Sequence, residues 1–227
     1  MSNMVIDTLW DDNPIDVSTE VNFIWKIANK LRGTYQSDKY KDVIIPMVII
    51  RRFECALADT KKAVVDTFKK NPNYPAKAMY RISKKQFYNT SEFTLAELVN
   101  DSEHIAANFR NYISGFSANV QDIIKSLDFD KQIEKMDKNN RLLSVVKAFS
   151  ELDLNPVTID NVKMGYIFED LIRRFSENAE AGDHYTGRDI IKLMVNILLA
   201  EGCDDIFDDG KIITVLDQAC GTGGMLS

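Results

Sequence analysis

Lys211-Ile-Ile-Thr-Val-Leu-Asp-Gln-Ala-Cys-Gly-Thr-Gly-Gly-Met-Leu-Ser227 joins a short apolar run to a cluster of glycines. Ile212, Ile213, Val215 and Leu216 supply the β-branched, uninterrupted apolar character expected of a buried parallel strand. Asp217 ends the run, and Gly221, Gly223 and Gly224 follow it closely. Glycines placed directly after a strand let the backbone turn tightly, so that amide N–H groups face a ligand from a helix N-terminus. The stretch predicts the entrance of a ligand site in an α/β domain.

Upstream of it the pattern is helical. Ile190, Ile191, Met194, Val195, Leu198 and Leu199 predict an amphipathic helix ended by Gly202. Before that lies a polar loop, residues 179–188, and before the loop a helix over about 160–178. In that helix Met164, Ile167, Phe168, Leu171, Ile172 and Phe175 follow an unbroken i, i+3, i+4, i+7 rhythm. Helix, loop, helix, strand and glycine turn is how a doubly wound α/β domain begins.

The preceding residues read as helices throughout. Ser18 is an expected N-cap for a helix burying Val21, Ile24, Trp25, Ala28 and Leu31, closed at Gly33. From Tyr40 to Ala58 apolar residues occur on nearly all sides, which predicts a central helix in which Pro46 marks the first turn or a kink. A strand over 43–50 is the second choice. Thr94 and Glu97 fit a capping box, and further helices are expected near 103–114, 118–127 and 139–152. The fold class is therefore mainly α. A helical domain over 1–155 leads into the start of a Rossmann-like domain over 156–227, with the junction at Asp153-Leu-Asn-Pro156.

Hydrophobic content of 45% with 27% charged residues is ordinary for a globular protein. No apolar run reaches the roughly 18–20 residues of a membrane span, and the first ten residues lack the basic and apolar regions of a secretory signal. Cys55, Cys203 and Cys220 are an odd, scattered set, read as reduced cytoplasmic thiols rather than a disulfide framework or a metal site. The net charge of −6 hides a basic segment. Residues 26–85 hold fifteen Lys/Arg against five Asp/Glu, or +10, leaving −16 elsewhere. Such a segment is either a solvated surface or a local phosphate-binding face.

Spacing narrows the ligand of the glycine turn. A P-loop requires a lysine after its glycines, and none is present. A dinucleotide fingerprint starting at Gly221 would need glycine at 226, where leucine stands. What remains is Asp-x-x-x-Gly-x-Gly, which suits a compact ligand bearing an amino-acid moiety whose ammonium meets Asp217. Cys220 reads as a small packed residue, and His184 as a loop residue lining the site.

Asp217-Gln-Ala-Cys-Gly-Thr-Gly-Gly-Met-Leu226 resembles motif I of the N6-adenine DNA methyltransferases, D-P-A-C-G-[ST]-G-G-[FM]-L. Gly182-Asp-His-Tyr-Thr-Gly-Arg188 resembles the G-x-[FY]-[YF]-T-P-R loop that precedes it in that family. Leu31-Arg-Gly33, Tyr40-Lys-Asp-Val-Ile-Ile-Pro46 and Phe168-Glu-Asp-Leu-Ile172 resemble the modification (M) subunits of type I restriction-modification systems. The resemblance covers most of the chain in the right order. It implies S-adenosylmethionine as cofactor, held by Asp217, Gly221, Thr222, Gly223 and Gly224 from the turn. Asp183, His184, Tyr185, Thr186, Gly187 and Arg188 would close over it from the loop. Gln218 and Gly187 stand where the family has proline, which implies a looser turn and a more mobile loop.

The resemblance also implies DNA as substrate, specificity (S) and restriction (R) subunits as partners, and M–M contacts. Methylation of N6 requires a flipped adenine held by an [ND]-P-P-[FY] motif. Asn13-Pro14-Ile, Asn71-Pro72-Asn and Asn155-Pro156-Val all lack the second proline and the aromatic, so no catalytic residue and no metal ligand is assigned. The expectation is an N-terminal fragment of an M subunit that does not methylate alone. Two alternatives stand beside it: a non-catalytic module contacting DNA or other subunits, and a Rossmann-like methyltransferase with another substrate.

Overall fold

A computed structural model describes residues 15–176, 186, 188–199, 210, 214–220 and 225. The described residues form helices and connecting turns, with no strand among them. Contacts divide the chain into two compact units, 1–175 and 176–227.

The first unit opens with α1, Ser18–Ala28, which continues as a 3-10 turn over Asn29–Leu31. The Asp16 carboxylate accepts the Ser18 N–H at 2.8 Å, so the helix begins one residue earlier than a Ser18 cap implies. Gly33, at φ 85°, takes the left-handed conformation that turns the chain away. Helix α2, Lys41–Leu57, buries Val43, Ile44, Met47, Val48 and Ile50. The helix reading of this segment holds and the strand alternative does not. Pro46 sits in the helix interior rather than its first turn, which removes the N–H that would bond to the Asp42 carbonyl.

Helices α3, Lys61–Lys70, and α4, Ala76–Ser83, form a hairpin through an exposed turn at 71–75. Neither was evident from apolar spacing. The capping box at Thr94 and Glu97 is present in both directions and opens α5, Leu95–Leu98. Helices α6 (Ile105–Ser114), α7 (Ala118–Ser126), α8 (Phe129–Lys138) and α9 (Leu142–Ser150) follow. Gly115 is required by close approach: a Cβ there would lie 2.5 Å from the Ser91 backbone nitrogen.

Helix α9 is the hub. It packs against α1, α2, α5, α6 and α8, and it buries Leu142, Val145, Val146 and Phe149. Removing a set of large side chains of this kind from water is the main stabilising contribution in a bundle, at about 1.5–3 kcal/mol each. Helix α10, Asn161–Ser176, joins the same core through Met164, Ile167, Leu171 and Phe175. Phe175 meets Trp25 of α1 at 5.4 Å between ring centroids.

In the second unit, α11 runs from Arg188 to Leu198. Its expected apolar stripe is largely in the open: Ile190, Met194, Leu198 and Leu199 are exposed and Val195 is half-buried, while Ile191 is buried. The expected strand is not seen over its described part. Thr214–Asp217 has no regular structure, and Val215 and Leu216 are exposed at 64% and 79%. A parallel strand exists only by pairing with neighbours, and no such neighbour is among the described residues. Ile212 and Ile213 lie outside them.

Candidate functional site

Of the eleven residues expected to bind a cofactor, three are described. Thr186 is exposed just ahead of α11, and Arg188 is the first residue of that helix. Asp217 is half-buried, and its Oδ1 accepts the Ala219 N–H at 3.0 Å across a turn at Gln218–Ala219. That bond makes Asp217 the organiser of the turn leading to the glycines. A carboxylate has lone pairs for several donors, so this one retains capacity for an ammonium while holding the backbone. Asp183, His184, Tyr185, Gly187, Gly221, Thr222, Gly223 and Gly224 lie outside the described residues. Cys220 is exposed and outside any disulfide. No cluster of metal-ligating side chains occurs among the described residues.

The first unit contains a polar network that sequence reasoning missed. Glu54 of α2 accepts Arg51 Nη1 at 2.5 Å, the Tyr112 hydroxyl at 2.9 Å and the Leu95 N–H at 2.7 Å. One carboxylate therefore ties α2 to α6 and to the N-terminus of α5, where free N–H groups favour a negative charge. Lys61 donates to Asn89 Oδ1 at 2.9 Å and lies 5.5 Å from the centre of the Tyr112 ring. Asn89 in turn donates to the Tyr112 carbonyl at 3.0 Å. These groups border a cavity of about 370 Å³ lined by Arg51, Glu54, Cys55, Lys61, Asn89 and Tyr112 among others.

Burial dominates the electrostatics here. It pushes the Lys61 ammonium down to about 8 against the opposing pull of Glu54 and Glu97. It raises the Tyr112 phenol well above its usual range, and the Glu54 charge adds to the rise. The Cys55 thiol is also pushed up by burial, which suppresses its thiolate.

The basic segment thus divides into two kinds of residue. Arg51 donates through Nε to the Leu152 carbonyl at 2.6 Å. Arg52 clasps the connection into α10, bonding the Leu154 and Ile159 carbonyls at 2.8 and 2.6 Å and Asn161 Oδ1 at 2.9 Å. Arg51, Arg52 and Lys61 therefore serve packing, and belong neither to a solvated surface nor to a phosphate-binding face. Lys62 remains exposed. The adjacent carbonyls at 152–159 are the reason: a guanidinium satisfies several of them at once through its fixed fork of donors.

A helical bundle is followed in the chain by the amphipathic helix α11 and by a turn at Gln218–Ala219 that Asp217 organises. Two family models divide the chain: "HsdM N-terminal domain" matches residues 21–149, and "N-6 DNA Methylase" matches 160–227. The chain belongs to the HsdM N-terminal domain family and carries the beginning of an N-6 DNA methylase domain.

Its relatives agree. The type I restriction enzyme MjaIX methylase subunit of Methanocaldococcus jannaschii is 23% identical over 224 residues, covering 89% of this chain and 38% of that protein. The MjaVII methylase subunit of the same organism is 26% identical over 191 residues, covering 79% and 31%. The Escherichia coli type I restriction enzyme EcoEI methylase subunit is 26% identical over 134 residues, covering 59% and 25%. The chain thus corresponds to between a quarter and two-fifths of the length of these relatives.

Proposed function

We propose that the chain is the N-terminal part of a type I methylase subunit that transfers a methyl group from S-adenosylmethionine to N6 of adenine in DNA. It does so within a longer polypeptide, in the cytoplasm, together with a specificity subunit and a restriction subunit and with contacts between methylase subunits. The observation that carries this reading is the order of parts. A helical domain precedes the 182–188 sequence motif, α11 follows, and Asp217 then organises the turn ahead of the glycine motif at 221–224.

The proposed division places the helical domain at 1–155 and the methylase domain at 156–227. Asp217 would hold the ammonium of the cofactor's methionine moiety, and the backbone around Gly221, Thr222, Gly223 and Gly224 would pass close beneath it. Asp183, His184, Tyr185, Thr186, Gly187 and Arg188 would cover the same moiety. The donor set fits: a half-buried carboxylate suits an ammonium, and glycines admit a close backbone approach. When bound, S-adenosylmethionine supplies a methyl group on a cationic sulfur, open to attack by an amine lone pair. The open apolar face of α11 supports the reading too, since helices flanking a parallel sheet bury such a stripe against it. No described helix is long and apolar enough to cross a membrane.

Two measurements test the proposal. Replacing Asp217 by Asn weakens S-adenosylmethionine binding by calorimetry about tenfold, the loss of one charge-assisted hydrogen bond. The full-length gene product with its specificity subunit places labelled methyl on N6 of adenine, whereas the 227-residue chain alone transfers none. Equal affinity of D217N refutes the assigned cofactor contact. Methyl transfer to cytosine or to protein refutes the assigned reaction, as does transfer by the short chain for its incompleteness.

A further inference from the structure

The α3–α4 hairpin is the most asymmetrically charged element of the molecule. Residues 60–85 hold eight Lys/Arg against Asp66 alone, a net +7 in a chain of −6. Lys62, Lys69, Lys70, Lys77, Arg81, Lys84 and Lys85 are exposed. Lys69 pairs with Glu92 at 2.8 Å, and the other six form no ion pair with any described residue. Several exposed lysines elsewhere are paired with near neighbours: Lys125 faces Asp122, Lys131 faces Asp128 and Lys138 faces Glu134. The hairpin gathers its six unpaired cations within 26 residues that hold one acid.

Its construction is also distinct. Val64, Val65 and Met79 are buried, yet they lie outside the main core cluster, so the two helices chiefly bury their apolar residues against each other. The base is closed by a bond from the Thr60 hydroxyl to the Ser83 carbonyl. Lys77, Arg81 and Lys84 stand at i, i+4 and i+7, one stripe along α4 and its C-cap. Exposed apolar area on the hairpin is slight, Tyr74 at the tip being the single large hydrophobic counted as exposed there, at 39%. Protein interfaces are depleted in lysine and centred on apolar anchors, whereas a phosphate backbone asks chiefly for positive charge.

We infer that the α3–α4 hairpin is a DNA-backbone arm, whose exposed Lys62, Lys70, Lys77, Arg81, Lys84 and Lys85 grip phosphates without reading bases. The inference rests on the proposal that the protein acts on DNA and assigns a surface for it. With the remainder of the chain at −13, the duplex is attracted to the hairpin and repelled elsewhere. The arm therefore orients the helical domain on the duplex while sequence choice resides in other surfaces.

The test uses the 227-residue chain and a short fluorescein-labelled duplex, with affinity read by anisotropy over roughly 50–200 mM KCl. Wild-type affinity falls steeply with salt. Neutralising Lys77, Arg81 and Lys84 together (K77Q/R81Q/K84Q) lowers the log–log salt slope by about 2.7 and weakens binding at 100 mM by at least about tenfold. Affinity falls uniformly across unrelated duplex sequences, and helical content by circular dichroism is unchanged. The matched variant K125Q/K131Q/K138Q leaves affinity and slope as in wild type.

An unchanged slope in K77Q/R81Q/K84Q overturns the arm while leaving DNA as substrate intact. Wild type that fails to bind any duplex also overturns the arm, and the cofactor and methyl-transfer measurements then judge the proposed reaction separately. Equal loss of binding to poly-glutamate and to duplex overturns the DNA assignment in favour of an acidic protein partner.

Discussion

Removing the Glu54 carboxylate tests whether the network around it holds the helical domain together. Glu54→Ala deletes three bonds at once, to Arg51, to the Tyr112 hydroxyl and to the Leu95 N–H. The side chains of Arg51 and Glu54 are only 16% and 13% exposed, so the guanidinium is left largely out of water and without its counter-ion. Breaking a buried pair from one side costs about 3–5 kcal/mol. The orphaned Tyr112 hydroxyl lies in the same desolvated network, and its cost belongs within that range rather than in addition to it.

With a urea m-value of about 2 kcal/mol/M, the unfolding midpoint falls by about 1.5–2.5 M. Tyr112→Phe removes one of the three bonds and costs about 1 kcal/mol. The assay is equilibrium urea unfolding followed by far-ultraviolet circular dichroism. A loss below about 1 kcal/mol for E54A, or equal losses for E54A and Y112F, refutes the reasoning: the carboxylate would then be a spectator and the apolar contacts of α2 with α9 sufficient.

Two further perturbations separate charge from geometry. Arg52→Lys keeps the charge but loses the fork that reaches Leu154, Ile159 and Asn161. It destabilises by about 2 kcal/mol and exposes residues 153–161 to limited proteolysis, whereas equal resistance of R52K and wild type counts against the clasp. The third concerns pH. Lys61 titrates near 8 when folded and at its ordinary 10.5 when unfolded, so between these values the unfolded chain binds more protons. Its contribution to stability therefore rises with pH from about 8 upward and is at its least favourable, and constant, below 8. Above pH 10 the raised Tyr112 and Tyr35 phenols act in the opposite sense, because the unfolded chain loses those protons first. Lys61→Met abolishes the rise above pH 8 in chemical-denaturation midpoints, and a rise that persists in K61M assigns it to another group.

The helices most legible in the sequence are those whose apolar residues keep a 3.6 period against a large core. Met164, Ile167, Leu171 and Phe175 are buried as their spacing implies. So are Val43, Ile44 and Met47, because a helix buried on several sides tolerates even an interior proline. The Thr94–Glu97 capping box was legible because both of its partners lie within one turn. Helices α3 and α4 were not, since two short helices with a small shared core show more lysine than periodicity. Helix α8 was missed although Phe129, Ile133 and Met136 stand at i, i+4 and i+7; the signal is present but diluted by charge. Charge counts gave no means of telling Arg51 and Arg52, spent on carbonyls a hundred residues away, from Lys77 and Arg81 facing solvent. The turn that Asp217 organises was legible because it depends on adjacent residues, while the glycines after it lie outside the described residues. The strand before it was not realised over 214–217, because a strand depends on partners that local sequence does not contain.

Helix α10 falls within the methylase family match, which starts at residue 160, yet its apolar stripe is seated in the core of the preceding helices. Lys163 bonds Glu20 at 2.8 Å, Arg174 bonds Asn22 at 3.1 Å, and Phe175 stacks beside Trp25. Ancestral borders and mechanical borders in this chain are thus offset by one helix. A gene exchange that swapped everything after residue 160 would carry away part of the neighbour's foundation and deliver a stripe fitted to a different bundle. A joint that preserves these contacts falls after Phe175 rather than at residue 160, so a chimera cut at 160 keeps its helical bundle only if the incoming helix fits the faces of Glu20, Asn22 and Trp25.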